Sequence, residues 1–243
     1  MFKIDQNLDN WGGKAVFLSQ LGKHGFNIPV GFVIPSNIFE DYINDRLDFL
    51  ELESILDTAL NKYINNTHNI IFRSSANIEG VKENCCCGVF NSFIYDKNES
   101  LLENVKKIWD SVFDLSAQNY FRLMSIDIKT IKMAVLVQEI KIGVLSGVVQ
   151  TFDMVNNIDR IILEYETGSV NAVVNGCNNA ELLLFDKRCN LIQGICPTNV
   201  SFQCFHELVK QCIEIENIFS MPTEVEFQLF ENKTYIIQAR KLT

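Results

Sequence analysis

Hydrophobic positions along this 243-residue chain follow two rhythms. In the first half they recur every three or four residues, the spacing that lines one side of a helix. Ala15, Phe17, Leu18 and Leu21 follow Gly12-Gly13-Lys14 and predict a helix that Gly22 and Gly25 bring to an end. Residues 26–34 lead into a strand, and helices are predicted over 36–43 and 48–65. Ile70-Ile71-Phe72 reads as a short buried strand opening onto Arg73-Ser74-Ser75-Ala76. A loop holding Cys85-Cys86-Cys87-Gly88 precedes an alternating strand over 89–95. The longest amphipathic helix is predicted over 99–123, with Leu102, Val105, Ile108, Trp109 and Val112 on its apolar side.

From Met133 onward the period shortens to two, the mark of strands. Strands are predicted over 133–140, 143–153, 158–166, 169–175 and 181–186, then a helix over 202–219 and a terminal hairpin. Helices early and antiparallel strands late indicate an α+β protein. We expect one domain over 1–243, with lobes near 1–125 and 126–243 and a ligand cleft between them.

The terminal hairpin runs from Thr223 to Arg240, two alternating strands about Glu231-Asn232-Lys233. A three-residue turn sets Phe230 opposite Thr234, Glu226 opposite Gln238 and Glu224 opposite Arg240. Side chains repeat every second residue, so these last four share one face. Two carboxylates, an amide oxygen and a guanidinium suit a divalent cation carrying phosphate oxygens. The same four residues also suit a solvated face with one surface ion pair.

Composition changes the picture mainly by exclusion. With 47% hydrophobic and 21% charged residues, the chain is an ordinary globular protein. Its formal charge of −9 and lack of a Lys/Arg block argue against a nucleic-acid partner. No apolar run is long enough to span a bilayer and the N-terminus lacks a secretory core, so no membrane partner and a cytoplasmic location are expected. The eight cysteines form no pair of C-x-x-C knuckles and read as reduced, buried small hydrophobes. His24, His68 and His206 stand apart in polar contexts and are expected at the surface.

Three further stretches carry candidate chemistry. Gly12-Gly13-Lys14 opens a helix, where glycines admit an anion, the helix dipole favours it and the lysine adds a point charge. A flexible turn with a surface lysine accounts for the same triplet. Arg73-Ser74-Ser75 can clamp phosphate or simply cap a sheet edge. Val137-Gln138-Glu139-Ile140 ends a very apolar strand whose backbone can meet a planar base or nothing at all.

Four blocks recur together in chain order: Gly12-Gly13-Lys14-Ala15 with Ile28-Pro29-Val30-Gly31-Phe32; Phe72-Arg73-Ser74-Ser75-Ala76 with Gly88; Ala134–Gln138 with Ser146-Gly147-Val148-Val149-Gln150-Thr151; and Glu224-Val225-Glu226 with Ile237-Gln238-Ala239-Arg240. This ordered set resembles the N-terminal ATP-binding (ATP-grasp) domain of phosphoenolpyruvate synthase, pyruvate phosphate dikinase and rifampin phosphotransferase. The resemblance implies an ATP-grasp fold with the nucleotide in the cleft between two lobes. It implies that Lys14 and Arg73 contact the phosphates of ATP, the substrate, and that Arg240 steadies the transferring phosphoryl group. It assigns Mg²⁺ or Mn²⁺ to Glu226 and Gln238, and adenine to the edge from Gln138 to Ile140. Ser74, Gly88 and Thr151 fall in the nucleotide-binding blocks.

The chain also departs from the family pattern. Glu79-Gly80 stands where the family has Glu-Asp, and Cys85-Cys86-Cys87 replace a loop serine. Asn171 stands where a ribose-binding glutamate is usual, and Arg122 follows Tyr120-Phe121 one place late. No histidine lies in the setting that carries the phosphoryl group in relatives. The expectation is therefore a Mg-ATP-dependent phosphotransferase module of dikinase type, forming AMP and phosphate. It would work with a phosphohistidine-carrying domain or protein in trans and serve a small-molecule acceptor. A stand-alone kinase giving ADP and a non-catalytic nucleotide-binding module are the alternatives.

Overall fold

The computed structural model describes residues 10–64, 70–79, 89–95, 98–141, 143, 145–167 and 180–242, with the backbone of 2–3. The chain forms two compact units, one of residues 1–23 and 29–140, the other of 24–28 and 141–242. The lobe boundary expected near 125 thus falls at 140. The reason is that the strand over 133–139 lies in the middle of the first unit's sheet.

That sheet has five antiparallel strands in the order β1-β2-β5-β3-β4: β1 (Phe2–Lys3), β2 (Gly31–Ile34), β3 (Ile70–Ala76), β4 (Ser92–Ile94) and β5 (Met133–Glu139). Helices α2 (Ser36–Ile43), α3 (Phe49–Tyr63), α4 (Leu101–Asp110) and α5 (Leu115–Leu123) contribute the other side of its main core. Phe32, Phe72, Val135 and Val137 of the sheet cluster there with Phe39, Leu56, Val105, Ile108, Trp109 and Phe121. Val33, Ile71 and Leu136 are equally buried but outside that cluster, because they alternate to the opposite face. Helix α1 (Gly12–Lys23) packs on β3 and β5, burying Ala15, Leu18 and Leu21.

The strand that was to end at Phe72 continues to Ala76, since its ladder with β5 runs on through Ser74↔Val135 to Ala76↔Met133. Arg73 therefore lies within a strand, not at its mouth. The long helix over 99–123 is broken: α4 stops at Asp110, Ser111–Phe113 tighten into a 3₁₀ turn and Asp114 is extended, at φ −62° and ψ 149°. Ser111 Oγ donates to the Ile108 carbonyl at 2.6 Å, a back-bond that competes with the helical ladder. Asp48 and Ser100 cap α3 and α4 by accepting backbone N–H groups at 3.0–3.2 Å.

Among the described residues, the second unit is a six-stranded antiparallel sheet, β11-β10-β6-β7-β8-β9, with one long helix. Its elements are β6 (Leu145–Gln150), β7 (Ile161–Thr167), β8 (Glu181–Phe185), β9 (Leu191–Gln193), α6 (Phe202–Phe219), β10 (Thr223–Phe230) and β11 (Lys233–Lys241). Helix α6 buries Phe205, Leu208, Val209, Cys212 and Ile215 and packs on β10 and β11. Residues 24–28 join this unit because Ile236 N–H donates to the Asn27 carbonyl at 2.8 Å, and Asn27 Nδ2 to that of Thr234 at 3.2 Å. At the middle of β6 a Cβ on Gly147 would stand 2.0 Å from the Glu164 carbonyl oxygen, so only glycine fits.

Strand β9 was not foreseen, and the expected strand over 169–175 lies outside the described residues. The strands expected over 143–153 and 158–166 are shorter, because Asp153 and Ile158 pair only as an isolated bridge. Between them Asp153 accepts from Asn156 N–H at 2.9 Å and from Arg160 Nε at 2.9 Å. These donors hold its carboxyl down at about 2, the Asn156 hydrogen bonds contributing most. Cys212 is buried as expected, whereas Cys189, Cys196 and Cys204 are only partly covered. His24 is exposed, but His206 on α6 is half-buried, and His68 lies outside the described residues. No described helix is long and apolar enough to cross a membrane.

Candidate functional site

In the first unit, the N-terminus of α1 is pressed onto the end of β3. Gly12 has φ +71°, and a Cβ there would lie 2.0 Å from the Ser75 carbonyl oxygen. A Cβ on Gly13 would lie 2.1 Å from the Glu79 carbonyl oxygen. The two glycines thus do steric work between main chains. Ser75 Oγ accepts from Ala15 N–H at 3.1 Å and donates to the Trp11 carbonyl at 2.7 Å, capping the helix from a neighbouring strand.

Lys14 projects from that first turn. Its Nζ donates to Ser74 Oγ at 3.0 Å and to Glu79 Oε1 at 2.8 Å. Arg73 is 5% exposed, between Leu136 and Ser92 in the ladder. Its cross-strand face also carries Gln138, the partner of both Ile71 and Gly31. Gln138 is fully buried and Ile140 nearly so. Strand β5 is paired on both sides through Gln138, and Glu139 N–H donates to the Val30 carbonyl at 2.9 Å.

In the second unit the hairpin closes with a two-residue turn. Phe230 pairs with Lys233, and Glu231 and Asn232 take φ 49° and 59°, a type I′ geometry. The expected three-residue turn is therefore corrected. A bulge between Glu226 and Phe227 then inserts Ile237 and moves the register by one. Beyond it, Glu226 faces Gln238 and Glu224 faces Arg240, as alternation required.

Cross-strand partners share a face, which extends this arrangement across the sheet. Arg240, Glu224 and Gln150 form one row; Gln238, Glu226, Val148 and Glu164 form the next. Arg240 Nε donates to Glu224 Oε1 at 2.6 Å, and Gln150 Nε2 to Glu224 Oε2 at 3.3 Å. Burial raises the Glu224 carboxyl above its usual range; the Gln150 hydrogen bond opposes this, while the charges of Glu226 and Glu164 add to it.

Glu226 and Gln238 offer a carboxylate and an amide oxygen directly opposite each other, an all-oxygen pair that fits Mg²⁺. Among the described residues no cage of three or more acidic, histidine or cysteine side chains is gathered. A cation here would complete its shell with ligand oxygens and water, as Mg²⁺ commonly does. Thr151 is brought to the sheet but not to this face. It is fully buried, and its Oγ1 accepts from Thr223 N–H at 2.8 Å. Gly88 and Asn171 lie outside the described residues. Reading the sequence missed Ser75 as the cap of α1, Glu79 as the partner of Lys14, and Gln150 and Glu164 as neighbours of the hairpin; for Gln150 and Glu164 the signal was alternation, but without the order of strands it had no partner to point to.

Residues 50–194 match the protein family described as pyruvate phosphate dikinase, AMP/ATP-binding domain. The uncharacterized phosphotransferase YvkC of Bacillus subtilis (strain 168) is 25% identical over 96% of this chain and 33% of its own length. A probable phosphoenolpyruvate synthase of Methanothermobacter thermautotrophicus is 24% identical over 72% of this chain and 32% of its own. The chain therefore spans about a third of the length of these relatives. Among solved structures, an L-amino acid ligase from Bacillus licheniformis aligns with a TM-score of 0.50 at 14% identity, covering 97% of this chain and 45% of that one. That likeness is one of fold, α+β and ATP-grasp.

Proposed function

The chain belongs to the pyruvate phosphate dikinase AMP/ATP-binding domain family, and from that premise we propose that it is the Mg-ATP-binding module of a dikinase-type phosphotransferase. ATP and water give AMP and inorganic phosphate, and the β-phosphoryl group passes to a histidine on a partner protein or separate domain. From that histidine it goes on to a small-molecule acceptor.

One observation carries this reading. Glu226 faces Gln238 and Glu224 faces Arg240 on a single hairpin face, beside each other in the ladder. Glu226 and Gln238 would hold Mg²⁺, which supplies charge neutralisation at phosphate oxygens. Arg240 presents a planar fork that can meet two phosphoryl oxygens, and Glu224 limits where that fork points. Lys14 and Arg73, with Ser74, serve the phosphates, the strand end from Gln138 to Ile140 the adenine, and Asn171 the ribose. The chain's task is placement and charge balance, the main sources of catalysis in phosphoryl transfer.

Incubation with radiolabelled ATP and a phosphohistidine domain of the family in trans tests the reaction. AMP and an acid-labile phosphohistidine, both dependent on the added domain, are expected. Rapid turnover to ADP with a small acceptor, unchanged by that domain, contradicts the dikinase reading.

A further inference from the structure

Glu79 is held at both of its oxygens. Oε1 accepts from Lys14 Nζ at 2.8 Å and Oε2 from the Ala76 backbone N–H at 3.1 Å. Its side chain is 8% exposed, and its own carbonyl lies where a Cβ on Gly13 would strike at 2.1 Å. Main chain and side chain of Glu79 thus both fasten the turn after β3 to the first turn of α1. The ammonium of Lys14 has three N–H donors. Ser74 Oγ and Glu79 Oε1 take two. Among the described residues no acceptor takes the third, and with the Lys14 side chain 18% exposed it can meet a ligand.

We propose that Glu79 is a positioning residue for Lys14, aiming the third ammonium N–H at a nucleotide phosphate. The proposal rests on the nucleotide reading above. Its geometry requires a carboxylate of this length. An amide has one accepting end, so glutamine cannot accept from both Lys14 and Ala76. Aspartate keeps the charge but is one methylene too short to span the two. A carboxylate beside Lys14 also repels phosphate, so the role proposed here and that of a mere counter-ion differ in sign. If Glu79 only neutralises Lys14, its removal strengthens nucleotide binding; if it aims Lys14, its removal weakens it.

Calorimetric titration with Mg-ATP separates these cases in wild type, Glu79→Gln and Glu79→Asp, and in Glu79→Gln combined with Lys14→Met. Both single Glu79 variants are expected to bind about tenfold more weakly, and Glu79→Gln to add no loss once Lys14 is Met, because coupled residues are not additive. Tighter binding by Glu79→Gln overturns the proposal, as does wild-type affinity in Glu79→Asp. An equal loss with and without Lys14 also overturns it, as that is the mark of a general structural role. A wild-type chain that binds no nucleotide removes the nucleotide reading and this role with it, a result distinct from binding that ignores Glu79.

Discussion

Lys14 leaves helix α1 directly after two glycines whose missing Cβ atoms admit the carbonyls of Ser75 and Glu79. Arg240 stands instead on an ordinary strand opposite Glu224, with a bulge two residues away in register as the one irregularity. Both cations are held by a carboxylate, at 2.8 Å for Lys14 and 2.6 Å for Arg240. The difference lies in what orients them. The first unit uses contact between main chains, so its candidate residues are tied to folding. The second uses the period of a strand, so its candidate side chains can change while the sheet persists.

The largest effect that sharpens this contrast is expected at Arg240. Arg240→Lys keeps the charge but loses the fork. Its transfer rate to a histidine domain should fall by ~10²–10³, the range for losing one stabilising donor, with ATP affinity little changed. Its stability should move by less than ~1 kcal/mol, as for other partly exposed ion pairs. A destabilised protein with an unchanged rate would reverse the assignment.

Gly12→Ala should behave oppositely. A Cβ meets a carbonyl oxygen at 2.0 Å and the residue must keep φ +71°, so urea melts should show a loss of about 2–3 kcal/mol. Melting unchanged from wild type would mean that the close approach of α1 to β3 does not hold in solution.

A smaller effect is expected in acid. Asp153 has its carboxyl depressed from 3.8 to about 2 by Asn156 and Arg160. Its stabilising contribution is therefore complete above about pH 3.8 and is lost as the pH falls through about 2. Asp153→Asn should flatten the pH dependence of stability in that window; an unaltered acid limb would show that this turn is not where the protons bind.

The faces of the hairpin were legible in the sequence, but its turn was not. Alternation placed Glu224, Glu226, Gln238 and Arg240 together, whereas the actual turn is one residue shorter and the bulge at Ile237 restores the register. A one-residue slip normally inverts a strand, so two compensating irregularities are needed to keep these partners opposite. Elements with strong local signals matched closely, such as the helix over Ser36–Ile43. The break at Ser111–Asp114 escaped notice because the apolar spacing runs on through it. The Lys14–Glu79 pair joins residues 65 positions apart, and no local pattern encodes such a contact. Gln150 and Glu164 became neighbours of the hairpin only once β6 and β7 were known to follow β10 in the sheet.

Under the proposed function, Glu226 and Gln238 recruit a metal with the nucleotide. Titration of the chain with ATP in Mg²⁺ and again in EDTA, for wild type and Glu226→Ala, tests it most directly. Wild type should bind ATP much more tightly with Mg²⁺ than with EDTA, and Glu226→Ala should lose most of that difference because one anionic ligand is gone. Equal affinity in Mg²⁺ and EDTA, or a Glu226→Ala protein with the full metal dependence, would contradict the account.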